Sequence, residues 1–264
     1  MGTLSDWVLA QGGLWLYATL LAALLLLVHG IGRAIGRRRA RPADARDEAG
    51  IGTITAGMMG LLAFTLGLTI SIAEDRFEAR RRLVVEEANA IGTAWLRAQL
   101  VGGAEGSAMQ RLLEDYTRVR IHYTTQDATA REGEALRRTQ ELGTALWQQA
   151  TQLARREPTA VTATLVTALN QVFDMASAQR FAFESRVPPA IQWLLLGGSL
   201  LSIGALGYQF GVAHRRHLLL TALLVAMWAG GMVLIIDLHR PRDGHIRPDP
   251  APLVWSLQGF EAGR

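Results

Sequence analysis

Between Thr53 and Ala73 the chain carries no charged side chain, and from Glu74 to Leu100 it continues through strong helix formers with no proline and no glycine before Gly92. An uncharged apolar run of this length matches the hydrocarbon thickness of a bilayer. Because no helix breaker separates it from the charged run that follows, the two are read as one helix. That helix has about 48 residues and, at 1.5 Å per residue, is roughly 70 Å long. Steps of about 3.6 residues from Thr53 land on Gly57, Gly60, Phe64, Gly67, Ser71, Asp75, Glu78, Arg82, Glu86, Asn89, Thr93 and Arg97. One narrow stripe is therefore small and apolar along the bilayer-length part and charged beyond it.

Three further apolar runs complete a four-span reading. The first span is residues 14–31, with Trp15 and Tyr17 at its start where aromatic rings favour the headgroup layer. Only Asp6 precedes its apolar core, and an Arg-rich stretch rather than a small-residue cleavage site follows, so it reads as an anchor and not as a cleaved signal. The second span is 51–73, the third 190–210 after Pro188 and Pro189, and the fourth 218–236. Spans and boundaries divide the chain into an N-terminal transmembrane pair (1–73), a soluble helical bundle (74–187), a C-terminal transmembrane pair (188–237) and a polar, Pro-rich tail (238–264). The fold class is all-α, with the bundle inserted between the second and third spans and the second span continuous with the first bundle helix.

Inside the polar region, fifteen acidic and fifteen basic side chains leave no net charge and no run of spanning length. VGGAEG at 101–106 ends the long helix, Gly133 marks another turn, and Glu157-Pro158 opens a further segment. Between these breaks, Met109, Leu112, Leu113, Tyr116, Val119 and Tyr123 recur at helical spacing; so do Leu136, Leu142, Leu146, Ala150 and Leu153, and then Val161, Leu165, Leu169, Val172, Met175 and Phe183. Each stripe needs a partner to bury it, which predicts a bundle of three or four helices. Val84, Ala88, Ile91 and Trp95 lie opposite the long stripe and are expected in its core. In the tail, Leu253, Val254, Trp255, Leu257 and Phe260 are available to dock on the bundle or at the membrane interface.

Sidedness follows from arginine. Residues 33–50 carry six Arg against three acids, and the short turn GVAHRRH at 211–217 holds Arg215 and Arg216. Positively charged loops stay in the cytoplasm. Loops 32–50 and 211–217 are thus expected inside, with both termini and the bundle outside.

Composition removes several chemistries. All 27 basic residues are Arg and there is no Cys. Lysine Schiff bases, the phosphate-loop lysine, thiolate nucleophiles and Cys-type zinc sites are therefore excluded. Asp237, His239 and His245, and the pair His214 and His217, lack any recognised metal-ligand spacing, so no metal is assigned. No nucleophile elbow or dinucleotide fingerprint is present, no cofactor is implied, and the chain is not read as an enzyme. A net charge of +4 with Arg clustered beside the spans fits membrane orientation rather than nucleic-acid binding. Topology puts Arg186 and Asp237 at the same membrane face, so Arg186 or Arg240 is expected to pair with the acid at the end of the fourth span.

The run FTLGLTISIAEDRFEARRRLVVEEANAIGTAWLRAQL, with the later SRVPPAIQWLLL and LIIDLHRPRDG, resembles a bacterial membrane family of unknown function labelled bestrophin-like. The resemblance implies a bacterial inner-membrane protein. It further implies an oligomeric ring around an ion passage lined by the second of four spans, since bestrophins are anion channels built that way. In bestrophins the region between the second and third spans is cytoplasmic, as are both termini; the loop charges here imply the reverse, and they take precedence because no basic residue precedes the first span.

Two readings of the long stripe remain open. In the first, copies of the helix surround an axis in a homo-oligomer: Gly57, Gly60, Gly67 and Ser71 form a narrow neck gated by Phe64, and Asp75, Glu78, Arg82, Glu86 and Asn89 form polar rings at its mouth for small ions. In the second, the glycines permit close packing inside one protomer, and Glu78 with Arg82 and Arg82 with Glu86 are helix-supporting ion pairs. The protein would then be an envelope scaffold or sensor whose bundle binds a partner. Under either reading the lipid bilayer is a partner.

Overall fold

The structure, a computed structural model, describes residues 4–39, 45–125, 132–185, 188–241 and 244–263. In chain order the helices are α1 (Leu4–Arg39), α2 (Ala45–Val101), α3 (Gly103–Thr125), α4 (Glu132–Arg156), α5 (Ala160–Glu184), α6 (Pro189–Val212), α7 (Leu218–Leu238) and α8 (Ala251–Ala262). There is no strand among the described residues. Four helical stretches are long and apolar enough to cross a membrane: Gly13–Arg39, Glu48–Val101, the stretch Ala160–Val212 that contains α6, and Leu218–Leu238. The chain separates into two compact units, Met1–Glu74 with Arg186–His239 and Asp75–Ser185 with Arg240–Arg264.

The second helix is longer than its sequence signature, with 57 residues, or about 86 Å. It starts at Ala45, ahead of the apolar run, and ends where Gly102 and Gly103 take positive φ of 69° and 62°. Those angles lie in the left-handed region that glycine enters without a steric penalty, so the two glycines reverse the chain into α3. The first helix is also longer than expected. It runs on through Arg37, Arg38 and Arg39, so residues 33–39 and 45–50, read above as loop, are helical. Arginine is a good helix former, and its charge in the last turn opposes the negative end of the helix dipole. Pro42, whose ring is expected to end any helical continuation of the first span, lies outside the described residues. At the other end of α1, Gly13 breaks the helical geometry with φ 68° and ψ −172°, just before the first span begins.

In the membrane unit, α1 packs on α6 and α7. The α1–α6 crossing is a backbone-to-backbone approach. A Cβ at Gly207 would stand 2.2 Å from the His29 carbonyl oxygen, and one at Gly211 would stand 2.3 Å from that of Arg33. From the other side, a Cβ at Gly32 would meet the Gly204 carbonyl oxygen at 2.2 Å, and one at Gly36 that of Tyr208 at 2.3 Å. Small residues at four-residue spacing let two spanning helices touch this closely. Helix α7 is tied to α6 by Trp228, whose Nε1 donates to Ser199 Oγ at 2.8 Å. Helix α2 contributes Leu62 and Leu66, which fill the space over Gly198 and Gly231. Thr69, on the same buried face, satisfies its hydroxyl by donating to the Thr65 carbonyl at 2.8 Å, so no unpaired polar group is left there.

The bundle unit buries the stripes read from the sequence. Val84, Ala88, Ile91 and Trp95 of α2 join Met109, Leu113 and Tyr116 of α3, Leu142, Leu146 and Ala150 of α4, and Leu165, Leu169 and Val172 of α5 in one core. The start of α5 is set by Thr159, whose hydroxyl accepts from the Thr162 N–H while Thr162 Oγ1 accepts from the Thr159 N–H. The segment written as a Pro-rich tail contains α8, which docks on this core. Leu253 and Phe260 are buried, and the Phe260 ring stacks on Trp95 at 4.9 Å between centroids with 10° between planes. Their spacing puts both on one face of α8, while Pro250 and Pro252 mark the start of that helix.

Candidate functional site

From Thr53 to Asn89, helix α2 buries one face and leaves the opposite one exposed; beyond it Thr93 and Arg97 are half-buried, and Arg97 donates to the Thr164 carbonyl at 2.5 Å. In the membrane unit Thr55, Leu62, Thr69 and Ala73 are buried; on the far side Gly57, Gly60, Phe64, Gly67 and Ser71 are exposed. Nothing lies within 4 Å of a Cβ placed at Gly57, Gly60 or Gly67, and Phe64 is 64% exposed. Close packing within the protomer therefore does not account for these glycines. The same polarity holds in the bundle unit: Arg80, Val84, Glu87, Ile91 and Ala98 are buried, whereas Asp75, Glu78, Arg82, Glu86 and Asn89 are exposed. The ion pair on this turn joins Glu78 to Arg81 at 3.6 Å rather than linking members of the stripe.

A 100° step per residue explains the arrangement. Buried and exposed sets sit about half a turn apart from Thr53 to Asn89, so the stripe is the face left over when α2 satisfies its packing inside one chain. Its lower part offers no polar side chain apart from Ser71, and its upper part alternates acids with Arg82. The exposed face is thus mostly apolar in the membrane unit and mostly charged in the bundle unit.

The bundle holds buried polar residues that the sequence reading missed. Arg120 is 1% exposed, and its Nε donates to Glu87 Oε1 at 2.5 Å while Nη2 reaches Glu87 Oε2 at 3.2 Å. Nη2 also donates to Gln179 Oε1, and the guanidinium lies 4.5 Å from the centroid of the Tyr123 ring. Burial is the largest influence and lowers the Arg120 pKa, but Glu87, Tyr116 and Tyr123 together outweigh it and hold the pKa above the ordinary value. Burial pushes the neighbouring Tyr116 hydroxyl well up, so it stays neutral. Arg80, also buried, donates from Nε to the Ala182 carbonyl at 2.9 Å and from Nη2 to that of Ser185 at 3.1 Å, closing the C-terminal end of α5. A signal for these residues existed. Arg80 and Glu87 fall on the same face as Val84 and Ile91, and Arg120 falls beside Tyr116 and Tyr123 on an apolar stripe.

Of the ion-pair candidates, Arg186 lies outside the described residues. Asp237 is buried in the last turn of α7 in the membrane unit, and Arg240 belongs to the bundle unit.

Four apolar spans and a helical bundle threaded by one long helix define a multi-pass membrane protein. The chain belongs to the Bestrophin-like domain family, whose model matches residues 17–253. Solved structures share the architecture. A membrane-protein crystal structure superposes with a TM-score of 0.67 at 14% identity, covering 91% of this chain and 97% of that one. A single-residue variant of a bacterial bestrophin homologue from Klebsiella pneumoniae gives 0.65 at 15% identity, covering 92% and 99%. A Klebsiella pneumoniae homologue phased on zinc gives 0.61 at 18%, covering 90% and 94%. At these identities the likeness establishes the fold. No curated protein matches the chain.

Proposed function

We propose that this protein is an oligomeric ion channel of the bacterial inner membrane whose passage is lined by α2. The observation that carries this reading is the open stripe: Gly57, Gly60, Phe64, Gly67 and Ser71 are exposed, nothing lies within 4 Å of a Cβ placed at the three glycines, and copies of the helix around an axis would face one another there. Glycines at Gly57, Gly60 and Gly67 keep the neck narrow but open, and Phe64 supplies an apolar constriction of the kind that gates by dewetting. Asp75, Glu78, Arg82, Glu86 and Asn89 line the mouth. Membership of the Bestrophin-like family supports the same reading. The scaffold alternative called for the stripe to be packed inside one chain, and its exposure argues against that.

Purified protein in liposomes is expected to conduct small ions. Phe64→Ala should raise the flux severalfold by removing the constriction, and Gly60→Leu should lower it by a similar factor. Silence of the wild-type protein across several salts and pH values, in liposomes that report a control channel, would remove the channel reading.

The sidedness belongs to the proposal too. Arg37, Arg38 and Arg39 at the end of α1, with Arg215 and Arg216 in the turn before α7, support a cytoplasmic location for that end and an extracytoplasmic bundle. The chain has no cysteine, so single substitutions report without background. Ser107→Cys is expected to react with a membrane-impermeant maleimide in spheroplasts, and Arg216→Cys only after lysis. The reversed labelling pattern would show that the bundle is cytoplasmic.

A further inference from the structure

Among the described residues of the membrane unit, Thr221 Oγ1 is buried with no hydrogen-bond partner, and the residue is only 3% exposed. With His29 it lines a cavity of 330 Å³ between α1 and the start of α7. The rest of its wall divides by chemistry, with Arg33 and Arg37 supplying charge and Leu26 and Leu218 supplying hydrocarbon. His29, Arg33 and Arg37 stand at four-residue intervals, so α1 points them along one face. The Arg33 side chain is steadied at this position by its Nε, which donates to the Arg215 carbonyl at 3.4 Å. The first turn of α7 has no side-chain cap, so its N–H groups and the positive end of its dipole are at the same place.

Two guanidinium groups, an unpartnered hydroxyl and an uncapped helix start make a phosphate site. Leu26 and Leu218, which are 43% and 69% exposed, carry that site out to an apolar surface at the end of the spans. We propose that the cavity binds the phosphate of an anionic phospholipid, with an acyl chain lying along Leu26 and Leu218. Basic cavities between spanning helices at the cytoplasmic side have the chemistry for such headgroups. The site is separate from the α2 stripe and does not depend on whether the protein conducts.

The full-length protein in detergent is titrated with phosphatidylglycerol and with phosphatidylcholine and read by native mass spectrometry. Wild-type protein is expected to retain phosphatidylglycerol in preference to phosphatidylcholine. Arg33→Gln with Arg37→Gln should weaken that retention roughly thirtyfold, as expected for two basic side chains at an anionic surface. Arg38→Gln with Arg39→Gln removes the same charge outside the cavity and should leave retention near wild type. If the two double variants lose equally, the attraction is diffuse and the site is refuted. Inorganic phosphate is the second arm. Phosphate that displaces phosphatidylglycerol at millimolar concentration, with no preference between the lipids, would assign the cavity to the free anion and overturn the lipid. Should the Arg33→Gln, Arg37→Gln protein fail to elute as a single folded species, Thr221→Val decides, because it removes only the unpartnered hydroxyl. Unchanged retention in that variant refutes the proposal.

Discussion

Arg120→Ala is expected to destabilise the protein by about 3–5 kcal/mol, because it leaves the Glu87 carboxylate at 0% exposure with no counter-charge. The size of the effect comes from desolvation rather than from the strength of the bond removed. A carboxylate in water is solvated without help, whereas Glu87 has exchanged that water for the Arg120 guanidinium, and loss of the cation strands it. Replacing both partners, as Glu87→Leu with Arg120→Met, should recover part of the loss, since an apolar pair of similar volume needs no compensation, while the buried Gln179 Oε1 that loses its donor holds back the rest. An exposed ion pair provides the contrast. Arg118 and Glu261 are 3.2 Å apart with both side chains about half exposed, and Arg118→Ala should cost less than about 1 kcal/mol. Thermal and denaturant unfolding in detergent, followed by tryptophan fluorescence, ranks the three. A double variant no more stable than Arg120→Ala would show that the cluster does more than neutralise itself.

Gly207→Leu is expected to have a comparable effect in the membrane unit. Even the first added carbon would stand 2.2 Å from the His29 carbonyl oxygen, which is backbone and has no rotamer to turn away. The helices must separate, and separation also loosens the matching approaches at Gly32, Gly36 and Gly211. Overpacking of a well-packed core costs about 1–3 kcal/mol, and a clash with backbone places this change at the upper end. Gly230→Ala serves as the control. Nothing lies within 4 Å of its added Cβ, so the gain in helix propensity should leave stability unchanged or raise it by up to about 1 kcal/mol. Melting temperature and the size-exclusion profile in detergent read both outcomes. A wild-type melting temperature for Gly207→Leu would mean that α1 and α6 do not pack as described.

How far the sequence could be read differs between these two regions. The stripe of α2 was legible because it depends on one helix alone: a fixed angular step assigns faces to Gly57, Phe64 and Glu78 without knowledge of any neighbour. The apolar stripes of α3, α4 and α5 were legible for the same reason. The Gly207 and Gly211 pair was visible as small residues four apart, but such pairs recur by chance in spanning helices, and only the position of α1 distinguishes this one. Glu87, Arg120 and Gln179 come from three helices, and no spacing rule connects positions so far apart in the chain. Helix ends were also misjudged where charge was taken for loop, as in residues 33–39, because arginine marks a membrane boundary and favours helix at once.

The sequence by itself determined the all-α class, the four apolar spans, the unbroken passage from the second span into the bundle, and the face of α2 that carries small and charged residues. Those properties follow from local propensity, hydrophobic length and helical periodicity, each of which acts within a single element. Only the tertiary structure decided that this face is left exposed, that α8 closes the bundle over Trp95, that glycines bring α1 and α6 into backbone contact, and that Arg120 is neutralised by Glu87. Each of these depends on which surfaces meet, and packing at van der Waals distance depends on the three-dimensional arrangement of elements that the chain order leaves open.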